Sequence, residues 1–177
     1  MKIAPFALSV AIALSGCAAM VKQPTTADIK LLAIPAEAAK TVAMSITGSK
    51  VSTEAKDWEQ LKGEWRAAMK AAAAEAGVKY MEQEIAARPT NEPGTLVTVQ
   101  VNDYRYLSPG ARYGFGVMTG NAYINSQVRF TDLKSGRPYG ERTYNTSSSA
   151  WEGIFSAMTA KQIEAICKQI VAEIAQR

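Results

Sequence analysis

Two stretches of strict alternation do most to limit how this chain can fold. From Thr95 to Leu107, Val97, Val99 and Val101 point one way, while Thr98, Gln100 and Asn102 point the other. From Ala122 to Asp132, Ile124, Val128 and Phe130 share one side, while Tyr123, Asn125, Gln127, Arg129 and Thr131 share the opposite side. A period of two is the spacing of a strand with one buried face. Ser135-Gly136 marks a turn, and Arg137 to Thr146 returns as a partner strand in which Gly140 marks a bulge. These segments predict antiparallel pairing with one apolar and one polar side. Continued parity puts Tyr104 and Tyr106 on the polar side with Tyr123 and Arg129, unless a bulge shifts the register first.

Two amphipathic helices are predicted to cover the apolar side. The first spans Glu54 to Ala76, capped by Ser52 or Thr53, with Trp58, Leu61, Trp65, Ala68, Met69 and Ala72 at helical spacing and Gly77 as terminator. The second spans Thr159 to Gln176, with Ile163, Ile166, Cys167, Ile170, Val171 and Ile174 on one stripe. Thr159 and Gln162 match a capping box. Cys167 lies within the stripe and reads as a small buried hydrophobe, not a nucleophile. Thr41 to Ile46 precedes the first helix as a strand, and Val78 to Ala86 follows it as another. Glu82 and Glu84 share a face of that strand and read as solvated, not as a catalytic pair. Ile29 to Ile34 is expected to form a short strand.

The order is thus β-α-β-β-β-β-α. A parallel crossover is expected around the first helix and antiparallel hairpins thereafter. The fold class is α+β: a two-layer sandwich in which a mixed sheet of four or five strands carries two helices on one face. Residues 40–177 form the single domain, preceded by a tether at 17–39 and a leader at 1–16.

Composition narrows the chemistry. Histidine is absent from all 177 residues, which removes His-based triads, His-ligated metals and His pH switches. Two cysteines build neither a zinc site nor a disulfide framework. Twenty basic against 16 acidic residues, unclustered, is not a nucleic-acid signature. Ser147, Ser148 and Ser149 have no histidine to act as base. The glycine-rich stretch 108–121 contains Gly114-Phe-Gly116, but its spacing to Gly120 is wrong for a dinucleotide fingerprint. It also enters a strand where that fingerprint opens a helix. It reads as a hairpin loop presenting Tyr113 and Phe115. No enzyme activity, metal or cofactor is expected.

The N-terminus is the most specific motif. Lys2 precedes an apolar run from Ile3 to Leu14, about 12 residues long and well short of the roughly 20 that span a bilayer. Leu14-Ser15-Gly16-Cys17 follows and looks like a bacterial lipobox. The lipoprotein resemblance implies cleavage before Cys17 and acylation of its thiol and new amino group. Two or more acyl chains give stable anchoring. Ala18, where an Asp would favour inner-membrane retention, implies the outer membrane of a Gram-negative host, with the domain facing the periplasm.

A second resemblance rests on Gly110-Ala-Arg-Tyr-Gly-Phe-Gly116, a strand ending Arg129-Phe-Thr-Asp132, and Lys134-Ser-Gly136. With the lipobox, this resembles the domain-of-unknown-function 4410 family of bacterial lipoproteins, over about Val97 to Ala175. The chain departs in running Arg112-Tyr113 almost directly into Gly114-Phe-Gly116. That family supplies no established activity. The strand–helix–strand order resembles, more loosely, outer-membrane lipoproteins that activate peptidoglycan synthases or secrete curli. The functional expectation is a non-enzymatic adaptor, activator or assembly factor. It would bind an envelope protein through Tyr104, Tyr106, Tyr113, Phe115, Tyr123 and Arg129. The alternative is a module binding glycan, peptidoglycan or a small ligand. An exposed sheet edge also offers a route to a homo-oligomer.

Overall fold

The computed structural model describes residues 21–22, 31–82, 91–106, 122–147 and 158–175. Its elements in chain order are β1 (Val21–Lys22), β2 (Thr41–Gly48), α1 (Lys50–Thr53), α2 (Trp58–Ala76), β3 (Lys79–Glu82), β4 (Thr95–Arg105), β5 (Tyr123–Asp132), β6 (Pro138–Ser147) and α3 (Met158–Ala175). The six strands form one mixed sheet in the order β1-β6-β5-β4-β2-β3. The two long helices pack on each other, and their stripes share one hydrophobic cluster with residues of β2, β4, β5 and β6. The architecture is the expected α+β fold.

Both helical stripes bury as expected. Trp65, Leu61, Met69, Ile163, Ile166, Ile170 and Ile174 are fully buried, as is Cys167. Burial raises the Cys167 thiol well above its ordinary range, which makes it inert. Gly77 closes α2 in the left-handed conformation at φ 71°, where a side chain would strain the backbone.

Several boundaries moved for identifiable reasons. The first long helix begins at Trp58, not Glu54. Ser49 instead caps the single turn α1, accepting a hydrogen bond from the Ser52 amide at 3.2 Å. The Ser52 hydroxyl caps nothing and donates to the Val101 carbonyl at 3.2 Å. Asp57 occupies the cap position of α2 without capping it, because its carboxylate accepts from the Tyr104 hydroxyl at 2.6 Å. The supposed capping box of α3 lies inside the helix. There Gln162 is buried and donates to the Ala122 carbonyl at 3.2 Å. The expected strand at 29–34 does not form across residues 31–34. Leu32, Ile34 and Ala38 nevertheless join the core, so the packed unit reaches upstream of residue 40.

The connectivity differs once. β3 and β4 do not form a hairpin. Both lie parallel to β2 and flank it, Met44 standing opposite Glu82 on one side and Val97 on the other. β4–β5, β5–β6 and the two-residue β1–β6 pair are antiparallel. Of the expected strand at 78–86, Lys79–Glu82 forms β3, and residues 83–86 lie outside the described residues. Glu84 and the Glu82 side chain lie outside the described residues.

The bulge at Gly140 is real. Phe130 pairs with Gly140 and Thr131 with Pro138, leaving Tyr139 as the extra residue. Gly140 has φ 153°, and a Cβ there would stand 2.7 Å from Leu32 Cδ2.

The β5–β6 turn is held by Asp132. Its carboxylate accepts from the Lys134 and Ser135 amides, both at 2.8 Å, and from the Tyr139 hydroxyl at 2.6 Å. The Tyr139 hydrogen bond, followed by the Ser135 amide, holds its pKa down at about 2 from an ordinary 3.8. A depressed carboxylate adds stability that is fully present above pH 3.8 and lost as pH falls toward 2. Asp132→Ala should cost about 2 kcal/mol at neutral pH. In parallel acid titrations followed by circular dichroism, the gap between wild type and variant should narrow below pH 4.

Candidate functional site

The sheet face turned away from the helices is the candidate site. Alternation builds it: Thr98 and Gln100 from β4, Asn125, Gln127 and Arg129 from β5, and Glu141, Thr143 and Asn145 from β6. Among the described elements no helix packs on it. Its polar groups engage one another across the strands. Arg129 Nε donates to Glu141 at 2.6 Å, and Gln127 Nε2 to the same carboxylate at 3.0 Å. Thr47 donates to the Gln100 side chain at 2.6 Å, and Asn102 to Asn125 at 3.2 Å. The Tyr123 hydroxyl donates to Asp103 at 2.9 Å, with the Arg105 guanidinium 5.7 Å above its ring. The Asp103 hydrogen bond, with a smaller share from burial, raises the Tyr123 phenol, which stays protonated at neutral pH.

Each exposed pair contributes little to stability. Together they hold the side chains in one arrangement, so docking a partner costs less side-chain entropy. Towards the other end of the same face, Ala43 and Leu96 are buried beneath Leu133 and packed by Met81. The Leu133 amide ties this cover to the Gly94 carbonyl at 2.9 Å.

Tyr104 and Tyr106 do not belong to this face, which corrects the parity argument. The β4–β5 register shifts between Val101 and Asp103. The extra residue keeps Asn102 and Asp103 bonded on the open side and turns the next odd–even pair over. Tyr104 lies 6.3 Å, centroid to centroid, from Trp58, with its hydroxyl on Asp57. Tyr106 donates to Glu64 and receives a hydrogen bond from Gln60. Burial and these carboxylates raise both phenols far above their ordinary range. They fasten α2 to the end of β4, on the helix side of the sheet.

Tyr123 and Arg129 stand on the open face as expected. Tyr113, Phe115, Cys17 and the serines after Ser147 lie outside the described residues. Sequence reasoning missed Glu141, Asp103 and Arg105. The hairpin register carries a signal for the first, since Glu141 is the direct cross-strand neighbour of Arg129. The other two depend on the bulge.

Concavities on this face are small. Thr98, Gln100, Gln127, Arg129 and Glu141 line a depression of about 170 Å³, below the few hundred Å³ of ordinary ligand sites. A wider groove of about 480 Å³ runs between α2 and α3, floored by Ala68 and Ala72 and rimmed by Glu64, Glu75, Glu164 and Lys168. Lys168 bridges it to Glu75 at 2.9 Å.

No family model matches the sequence, and no curated protein matches it. Solved structures do share the fold. The PelC dodecamer of Paraburkholderia phytofirmans superposes with a TM-score of 0.52 at 17% identity, over 89% of this chain and 98% of that one. A Xanthomonas campestris protein of domain-of-unknown-function family 330 gives 0.48 at 9% identity, over 77% and 85% of the two chains. A Neisseria meningitidis lipoprotein gives 0.42 at 12% identity, over 73% and 96%. At these identities the PelC likeness speaks for the fold alone. Among the described residues no helix is long and apolar enough to cross a membrane.

Proposed function

We propose that this chain is a lipid-anchored envelope protein that works without catalysis, binding a protein partner through the open face of its sheet. The observation that carries this reading is the face itself. It is a broad polar surface on three strands, uncovered by any described helix and pre-ordered by its own cross-strand hydrogen bonds. Its Tyr and Arg are the residue types enriched at interfaces. The anchor is Cys17 of the Leu14-Ser15-Gly16-Cys17 run, and the outer membrane facing the periplasm is the assigned place. Similarity to the 4410 family rests on the loop and strand residues quoted above and fits the same reading.

The test is crosslinking in living cells from a photoreactive side chain at Tyr123 or Arg129, read by mass spectrometry. Lys70, exposed on α2, is the control. One partner enriched from both face positions and absent from Lys70 supports the proposal. Adducts to the chain itself would identify self-association; PelC is a dodecamer, so this outcome has a fold-level precedent. No protein adduct from either position would sink the face as an interface. The 480 Å³ groove would then direct attention to a ligand-binding role.

A further inference from the structure

The end of the sheet nearest Cys17 in the chain carries features that the partner face does not use. β1 runs antiparallel to β6, with Val21 opposite Thr146 and Lys22 opposite Asn145. Val21 therefore stands at the end of the sheet where β6 finishes. Cys17 precedes Val21 by only four residues, and that length spans at most about 14 Å. A lipid on Cys17 would hold this end of the domain, and not the other, against the bilayer.

The strand register shows what else sits there. Gly48 of β2 pairs with Val101, Arg105 of β4 with Tyr123, and Tyr123 with Ser147. The turn α1 and the start of α2 follow β2 at the same end. A Cβ at Gly48 would stand 2.8 Å from the Trp58 ring, so the two elements are in contact there. Val51 of α1 is 72% exposed, and only Leu31 shares that condition among large hydrophobic side chains in the described residues. Lys50 and Lys56 are exposed in the same connection between β2 and α2. The carboxylates at this end balance those cations: Glu54 pairs with Lys50 at 3.9 Å, Glu59 with Lys62 at 2.8 Å, and Asp57 and Asp103 accept from the Tyr104 and Tyr123 hydroxyls.

We propose that this rim, formed by Lys50, Val51 and Lys56, is seated on the phospholipid headgroups of the bilayer that receives the Cys17 lipid. The proposal rests on the lipidation reading above. An exposed valine flanked by cations suits the headgroup boundary, where apolar atoms enter the acyl margin and cations meet phosphates. The strands then point away from the membrane, and the open sheet face looks sideways along its surface. A partner held on the same membrane meets that face without reorienting either molecule.

The test uses the full chain, expressed with its leader and reconstituted into vesicles of phosphatidylethanolamine and phosphatidylglycerol. An environment-sensitive fluorophore is attached at Val51→Cys or, as control, at Lys134→Cys in the turn at the opposite end. Brominated lipid should lower emission at position 51 by at least about twofold, against a change of under about a tenth at position 134. Equal quenching at both positions, or none at 51, in protein that floats with the vesicles and carries acyl mass on its N-terminal peptide overturns the rim and leaves lipidation standing. Protein that neither floats nor carries acyl mass overturns both.

Discussion

Glu173→Leu should destabilise the domain by about 3–5 kcal/mol, a third or more of the stability typical of a domain this size. Glu173 projects from α3 towards β6. Its carboxylate accepts from Arg142 Nε at 2.8 Å and from the Tyr144 hydroxyl at 2.8 Å. The Arg142 and Glu173 side chains are only 14% and 20% exposed, and Tyr144 is fully buried. Leucine would fit the space but take the carboxylate from a largely buried guanidinium, which keeps only weaker partners such as the Glu141 carbonyl at 3.0 Å, and leave the Tyr144 hydroxyl without that acceptor. The stranded groups, more than the lost attraction, set the size of the effect. Urea unfolding followed by tryptophan fluorescence measures it. Arg142→Met combined with Glu173→Leu should recover most of the loss, because both charges leave together. If the double variant is as unstable as the single one, the cost comes from packing and this account is wrong.

Trp65→Ala should cost about 3–5 kcal/mol by emptying the centre of the core. Trp65 is the largest fully buried side chain in the described domain. It lies where α2 meets α3: its carbonyl is the 4.0 Å acceptor of the Cys167 thiol. Trp65→Phe should behave differently. The indole Nε1 is buried and has no hydrogen-bond partner among the described residues, so phenylalanine removes apolar area but also an unsatisfied donor. The phenylalanine variant should lose under about 1.5 kcal/mol, set by smaller apolar burial partly offset by the removed donor. A loss for phenylalanine as large as for alanine would show that the indole nitrogen is satisfied after all, for instance by an ordered water.

The contrast between what could be read from the residues and what could not has a physical pattern. Period and stripe are properties of many side chains at once, so β4, β5, α2 and α3 were legible. The faces of Tyr123 and Arg129 followed from the same count. Features decided by one competition between neighbours were not. Asp57 could cap α2 or bind Tyr104, and the tertiary bond prevailed, so α2 begins at Trp58 without a side-chain cap. One additional residue between Val101 and Asp103 reversed the faces of Tyr104 and Tyr106, and alternation counted from either side of it gives opposite answers. Leu32 and Ile34 bury without strand geometry, because apolar side chains need a cavity more than a ladder. The placement of β2 between β3 and β4 is a choice among pairings of similar local quality. Only the assembled sheet makes that choice.

That central position of β2 also governs when the domain can close. β2 is the first long strand to emerge, yet both its neighbours come later, β4 beginning only at Thr95. The core is then sealed by α3, whose Ile163, Ile166, Ile170 and Ile174 follow every strand of the sheet in the chain. No early fragment buries a complete core, and contacts between distant parts of the chain form slowly. The sheet therefore cannot close over its core until α3 has been made.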